Sequence, residues 1–487
     1  MVEQAKLAKI VGAGNTSSVE GTLNEYSKDL SFVNPVKPAC VVKPKTAADV
    51  EDIIKLANET GTPLVPVSSG PPHFRGDTVP SIGGSVIVDL SGMKKIIRVD
   101  RRNRVAMVEP GVTFGELIPA VNKEGLRLNM PLMPRQTKSV VASMLEREPV
   151  LMPKYHWDIA DPLACVEIYF GTGDMFRTGA AAGPGTLEEQ WAANASQKEA
   201  AGPGQVSLHR IIGGAQGTMG IVTWASLRCE LLPGVEESSL IGSSDIEKLF
   251  EMVHWLIRYR LANECFVLNS ANLAAIMTKK DADYHAVRNA LPPYILLYSI
   301  AGYEEMPEER VSYQVKDANE LARRTGLEPA KAIGKVSAND LLKMVNRPSE
   351  EPYWKISRHG NCQDIFFITV YDKLPGLIAA MNALADEVGY PASDMGIYLQ
   401  PIVQGSNCHC EFNLFYNPAN KVAADRVRAM AAKAVSKLPG EGAFFSRPYG
   451  ENAGIIINKD AATVNALRKV KSIFDPNNIM NPGKLCF

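Results

Sequence analysis

The run Cys408-His409-Cys410-Glu411-Phe412-Asn413 alternates, and a period of two puts His409, Glu411 and Asn413 on one face of a strand, with Cys410 and Phe412 on the other. Histidine is the side chain most easily tuned near neutral pH, so a stripe carrying His409 and Glu411 suits proton handling. A half-exposed sheet gives the same alternation with a solvent-facing stripe, and burial decides between the two. A second run, Pro66-Val67-Ser68-Ser69-Gly70-Pro71-Pro72-His73-Phe74-Arg75-Gly76-Asp77, packs small residues and turn-formers where backbone amides can approach a pyrophosphate with no Cβ in the way. Pro71 and Pro72 have no amide to donate, so the side chains of Ser68, Ser69, Arg75 and Thr78 replace part of that contact. The alternative is a structural turn without a ligand. Gly213-Gly214-Ala215-Gln216-Gly217-Thr218-Met219-Gly220-Ile221-Val222-Thr223 is another glycine-dense loop, and it runs into a strand.

Regular elements must hold these loops. Residues 47–59 place Val50, Ile53, Ile54 and Ala57 on one helical face, with Glu51 and Asp52 in the early turns and Gly61 after the end. Residues 64–67 read as a short apolar strand leading into the loop 68–77, and 84–90 and 104–110 are strand-like. Thr113 caps a helix over 114–124, with Glu116 completing a capping box. Residues 163–170 and 175–178 read as a hairpin around Gly171-Thr172-Gly173-Asp174. The stretch 179–204 lacks a clear period and reads as an irregular loop with a short helix near 188–194. Past Leu232-Pro233-Gly234 the character changes. Helical stretches at 245–260 and 381–388 alternate with strands at 294–300, 364–370 and 409–416, an α+β pattern for a second domain. Beyond Gly440 the chain is loop-rich, then ends in a helix over 461–473 and the turn 475–484.

The chain has 487 residues, too many for one core, so two domains are expected. A formal net charge of −1 offers no bulk attraction to nucleic acid or an anionic membrane. There is no secretory signal over 1–10 and no run of about 18 apolar residues, so the expected location is cytoplasmic, without a membrane span. Eight cysteines are scattered, with one close pair, Cys408 and Cys410. Neither a zinc ribbon nor an iron–sulfur run is present, and free buried thiols are expected. Any iron–sulfur cluster belongs to another chain.

Six segments in order, the helix after Pro44, the Gly70 loop, 86–90, 108–112, 217–223 and Asp475-Pro476-Asn477-Asn478-Ile479-Met480-Asn481-Pro482-Gly483-Lys484, resemble the vanillyl-alcohol oxidase and p-cresol methylhydroxylase flavoprotein superfamily over nearly the full length. Glu146-Arg147-Glu148, Tyr155-His156-Trp157-Asp158 and 173–179 look most like the vanillyl-alcohol oxidase branch. The resemblance implies an α+β fold with a PCMH-type FAD-binding domain over 1–233, a cap (substrate) domain over 234–440, and a return to the first domain over 441–487. It implies FAD, held by the loop Ser68, Ser69, Gly70, Pro71, Pro72, His73 and Phe74. Pro110, Ser139 and Ser143 are expected to join them, with His156 and Asp158 close to the flavin. Gly217, Gly220, Ile221 and Val222 form another side of the expected cofactor site, and Asn481 and Lys484 bring in the C-terminus. His73 stands where some relatives attach the cofactor covalently; the other reading is an exposed histidine with no role.

The resemblance also implies the chemistry: hydride leaves a carbon beside an oxygen, and protein groups handle the proton. His409 and Tyr449 are the proton-handling candidates, with Glu411 beside them, and Arg75 is expected to bind a substrate carboxylate or phenolate. Arg135 and Arg447 are further anion-binding candidates, or structural pairs. Hydroxy-acid-oxidising relatives place a second histidine where this chain has Ile402, and a Glu-His pair where it has Pro448-Tyr449, so no metal is expected. The phenolate-holding residues of alkylphenol oxidases fall at Gly450-Glu451-Asn452-Ala453, and their assisting carboxylate at Pro134, so the usual site of that kind is missing. The expected function is an FAD-linked dehydrogenase or oxidase acting on an alcohol-type or benzylic/phenolic small organic substrate. The alternatives are a 2-hydroxy-acid (lactate- or glycolate-type) dehydrogenase and a non-catalytic or electron-relay flavoprotein subunit. Expected partners are the small substrate, a redox protein of iron–sulfur or electron-transfer flavoprotein type, and a second copy of the chain; nucleic acid is not among them.

Overall fold

In the computed structural model, which describes residues 4–156, 158, 161–179, 185–194, 209–279 and 281–487, helix Ala47–Thr60 begins at a capping box between Thr46 and Asp49 and stops at Gly61 in the left-handed conformation, φ 62°. Its buried residues Val50, Ile53, Ile54 and Ala57 pack on a small sheet. In that sheet Cys40–Val42, Val86–Asp89 and Leu64–Val67 run parallel, and Thr16–Ser17 adds an antiparallel edge. Val86–Asp89 is buried throughout, which explains its unbroken apolar run. The loop after Leu64–Val67 leaves from the end of a buried strand, so its first residues are held firmly.

A second sheet has the order Ile96–Asp100, Val105–Val108, Gly220–Leu231, Leu163–Phe170 and Met175–Arg177, with Leu126–Leu128 also pairing with Gly220–Leu231. The hairpin lies as the sequence suggests, with Tyr169 opposite Met175 and Gly173 at φ 91°. Helix Phe114–Lys123 carries the Thr113–Glu116 capping box. Gly220 has a steric reason: a Cβ there would lie 2.3 Å from the Tyr169 carbonyl oxygen. Of the expected 179–204 loop, the short helix Leu187–Ala192 is described; most of the rest lies outside the described residues.

The third sheet is antiparallel throughout, in the order Val235–Ser243, Tyr294–Gly302, Cys265–Asn269, Met395–Ile402, Asn407–Tyr416 and Asn361–Thr369. Helices Ile246–Arg258, Pro307–Thr325, Leu374–Val388 and Lys421–Lys437 cover one face and form the largest core, which takes in Cys408, Cys410 and Phe412. The third of these begins at Leu374, not Met381, because Pro375 sits in the first turn, where its missing amide costs no bond. Helices Ser270–Met277 and Ala338–Val345 cover part of the other face. The remainder, at the end formed by the last two strands, faces the loops of the first two sheets.

The last segment returns to the first sheet. Leu64 donates its amide to the Ile479 carbonyl (2.7 Å) and accepts from the Asn481 amide (2.8 Å). Asp475, 1% exposed, accepts from the amides of Ile479 and Met480 and from Lys471 Nζ. A helix, Glu451–Ile457, interrupts the stretch expected to be loop.

Candidate active site

A cleft of about 1750 Å³ of empty space, counting its open mouth, separates the uncovered part of the third sheet from the loops of the first two. On the loop side it is lined by Pro66 to Ser69, His73 to Arg75, Pro110, Gly214 to Gly217 and Gly220 to Val222. On the sheet side stand Tyr353, Trp354, Lys355, Asp364, Tyr398 and Glu411, with Arg447 and Tyr449 from the returning segment.

Strand register builds the sheet side. Asp364 faces Asn413 and Phe366 faces Glu411 across the last strand pair, so His409, Glu411, Asn413 and Asp364 share one face. The face is not solvent-exposed: His409 is 2% exposed, Glu411 8% and Asn413 0%. Lys355, from the loop before Asn361–Thr369, puts Nζ 2.8 Å from Asp364 Oδ2 and 2.6 Å from Glu411 Oε1. Asn413 Nδ2 donates to both carboxylates at 2.7 Å, and its own Oδ1 accepts from Asn272 Nδ2 at 2.8 Å. His409 does not line the cleft; it stands behind Glu411, with Nε2 donating to Oε2 at 3.1 Å.

These contacts set the charges. Burial would raise the Glu411 pKa, but Lys355 and the His409 hydrogen bond outweigh it and hold the carboxyl well below its usual range. The two carboxylates likewise overcome burial at Lys355 and hold its ammonium well above its usual value. Burial pushes His409 down against the pull of Glu411. The imidazole is thus neutral and orients Glu411.

Arg75, expected to be free for an anion, is spent on protein carboxylates. It pairs with Glu146 and, at 2.9 Å, with Glu148, which also accept from Lys138 Nζ at 2.9 and 2.7 Å. The other two arginines are less committed. Arg135 donates to the Gly70 carbonyl (2.7 Å) and stacks on Phe74; Arg447 donates to the Glu146 carbonyl (3.2 Å) and lies 4.4 Å over the Phe366 ring. Neither has an ion-pair partner among the described residues, and burial lowers both pKa values. The hydroxyl of Tyr449 and the indole nitrogen of Trp354 are buried at the cleft without hydrogen-bond partners. Buried polar atoms are rarely left so, and two of them on one cleft mark a place for a ligand.

The expected cofactor residues divide into wall and scaffold. Ser68, Ser69, His73, Phe74, Pro110, Gly217, Gly220, Ile221 and Val222 line the cleft. Gly70 does not: its amide goes to the Thr137 carbonyl (3.0 Å), and neighbouring Pro71 and Pro72 also lie outside the lining. Ser139 caps helix Val140–Leu145 and donates to the Pro110 carbonyl, and Ser143 donates to Glu148 Oε2 (2.6 Å). His156 is buried against Asn129 and Asp158 pairs with Arg210; both lie outside the cleft lining. Asn481 bonds the carbonyls of Asp77 and Gln216, and Lys484 those of Gly76 and Val79, so the tail ties together the loops that form the wall. Burial pushes His73 down to about 4, which leaves a neutral imidazole at the cleft.

The fit to a flavin dinucleotide is good. The cleft is large, its loop side includes Ser68, Ser69, Gly214, Gly217 and Gly220, and two unpartnered buried donors stand on the other side. The groups that sequence reasoning missed are Lys355, Asp364, Tyr353 and Trp354. Asp364 had a signal, a charge inside the apolar strand Cys362-Gln363-Asp364-Ile365-Phe366-Phe367; Lys355 sits in a loop and had none.

Comparison with known proteins gives the same cofactor. The chain matches the family described as FAD binding domain over residues 38–179 and that described as FAD linked oxidases, C-terminal domain, over 457–485. It is 22% identical over 485 residues, 98% of each chain, to an uncharacterized FAD-linked oxidoreductase of Mycobacterium tuberculosis. It is 22% identical over 470 residues to a D-lactate dehydrogenase of Anaerostipes hadrus, covering 94% of this chain and 92% of the other. Its fold superposes on that of p-cresol methylhydroxylase with a TM-score of 0.84 at 18% identity, covering 99% of this chain and 96% of the other. No helix among the described residues is long and apolar enough to cross a membrane.

Proposed function

We propose that this FAD-linked oxidoreductase, whose fold is that of p-cresol methylhydroxylase, belongs to the same superfamily and removes hydride from an alcohol-type or benzylic carbon of a small organic substrate. FAD, when bound, accepts the hydride. The remaining work falls to this chain's side chains. We assign the cofactor to the loop wall, within a split domain of residues 1–233 and 441–487, and the substrate to the wall built by the cap, residues 234–440. Within the superfamily, Glu146-Arg147-Glu148 and 173–179 favour the vanillyl-alcohol oxidase branch.

The observation that carries the reading is Lys355 clamped between the buried Glu411 and the half-buried Asp364 on the wall opposite the cofactor loops. The substrate hydroxyl gives its proton to Asp364 as the C–H pair leaves as hydride and the carbon becomes a carbonyl. Asp364 takes this role because it accepts fewer strong hydrogen bonds than Glu411, which is held by Lys355, Asn413 and His409. Lys355 keeps its proton and fixes the carboxylates, and His409 positions Glu411. Tyr449 donates its unpartnered hydroxyl to the substrate oxygen, and Arg447 balances negative charge there. Arg75 lines the cleft with its charge already paired to Glu146 and Glu148.

Anaerobic mixing of the holoenzyme with alcohols, phenols and 2-hydroxy acids tests this. At least one class should bleach the flavin, and Asp364→Asn should slow bleaching about 100-fold at unchanged FAD content. No bleaching with FAD in place refutes the reading, and a slowing of less than about threefold removes Asp364 as the base.

A second reading, a 2-hydroxy-acid dehydrogenase of lactate or glycolate type, is favoured by Arg447. A buried guanidinium without an ion-pair partner among the described residues suits a substrate carboxylate. Arg447→Met should then raise the half-saturating concentration for 2-hydroxy acids far more than for neutral alcohols.

A further inference from the structure

A second cavity, of about 870 Å³ counting its mouth, opens off the cleft. The two share Phe74, Arg75, Cys362, Asp364, Arg447 and Tyr449, so they adjoin at a largely polar waist. The second cavity lies along the edge of the third sheet, where Asn361–Thr369 is the last strand and only the Ile368–Phe444 bridge pairs its far side among the described residues. Beyond the waist the lining is mostly apolar, with Phe32, Ile365, Phe366, Val435, Phe445 and Ile456, and carries Ser31, Gln363 and Asn452 as well. At its outer end Arg428, on helix Lys421–Lys437, pairs with Glu451, the first residue of helix Glu451–Ile457, with Arg428 Nε 3.2 Å from Glu451 Oε2. Both side chains are nearly half exposed, so the pair contributes little and parts readily.

We propose that this outer cavity is a binding subsite for an apolar tail, alkyl or aryl, of the substrate, and that the substrate's anionic head lies at the waist on Arg447. The inference rests on the cleft being the catalytic site. A substrate of that shape satisfies both environments at once: the head meets a buried guanidinium without an ion pair among the described residues, and the tail removes apolar wall from water. A small polar substrate would leave the outer lining to water. The exposed Arg428–Glu451 pair, between the two helices, marks the way in.

The test uses straight-chain carboxylates, acetate to decanoate, which the flavin cannot oxidise at a hydroxyl. Their dissociation constants for the holoenzyme are measured by calorimetry and by perturbation of the flavin absorption. Affinity should rise about threefold or more per methylene until the subsite is full, in line with burial of each CH₂. Ala432→Trp, at an exposed helix position on the cavity wall, should abolish that dependence while leaving acetate binding within about twofold. Ile456→Asp, which puts a charge into the apolar lining, should do the same if the first variant folds poorly. Arg447→Met should weaken every chain length alike. Binding that depends on Arg447 but not on chain length overturns the subsite and leaves the proposed function standing. Absence of carboxylate binding at any length overturns the head site and the subsite together, and flavin bleaching by neutral alcohols then decides the function separately.

Discussion

Replacing Lys355 with methionine is the sharpest perturbation of the site. Its ammonium lies 2.8 Å from Asp364 and 2.6 Å from Glu411, and all three side chains are under a fifth exposed. With an effective dielectric constant of about 20, each pair is worth ~6 kcal/mol of gross Coulomb attraction. Desolvating three ions consumes much of that, so the quantity to expect is the cost of breaking a buried pair, about 3–5 kcal/mol. Lys355→Met leaves two carboxylates facing each other across Asn413, with no cation between them. The variant should relieve this by binding a proton, so one carboxyl pKa rises in its folded state. A raised folded pKa in an acid means stability is regained as pH falls through it, and the deficit against wild type should shrink from pH 8 to pH 5. Denaturant unfolding of both proteins across that range reads the effect. Anaerobic flavin reduction should slow about 100-fold or more, because the base is now protonated or misplaced. Equal stability at pH 8, or a deficit that grows towards pH 5, would refute the account of the cluster.

Other predictions follow from single contacts. His156, 5% exposed and pushed down to about 4 by burial, accepts a hydrogen bond from Asn129; its stabilising effect is complete above the unfolded value near 6.5 and is lost as pH falls towards 4. About 3 kcal/mol is at stake, and thermal unfolding of His156→Gln should depend less on pH over that window than wild type. Asp475→Ala removes the acceptor for two backbone amides and for Lys471, and should cost about 3–5 kcal/mol and weaken FAD retention on gel filtration; unchanged retention would mean that the tail does not hold the loops. For a covalent link through His73, acid precipitation should leave yellow protein, and colour wholly in the supernatant disposes of it. His409→Asn should slow flavin reduction by less than Asp364→Asn does, because it acts only through Glu411.

Local features were legible in the chain itself. Capping at Thr113, the stop at Gly61, the hairpin turn at Gly173 and the parity of His409, Glu411 and Asn413 depend on neighbours a few residues away, so composition and period suffice to find them. The α+β class was legible for the same reason, and the cofactor loops through their resemblance to the flavoprotein superfamily. The amphipathic helices Pro307–Thr325 and Lys421–Lys437 were also written in the sequence but are long and highly charged, and their buried stripes are thin.

What tertiary structure alone decided is which charges meet. Lys355 reaches Asp364 and Glu411 because a loop folds over the edge of the third sheet, and Arg75 is neutralised because Glu146 and Glu148 arrive from another element. Ion pairing depends on distances of a few ångströms between residues far apart in the chain, and no local period encodes those distances. Residue types and parity therefore identified the polar stripe, whereas burial and cross-strand register moved His409 behind Glu411 and left Arg447 and Tyr449 facing the cleft.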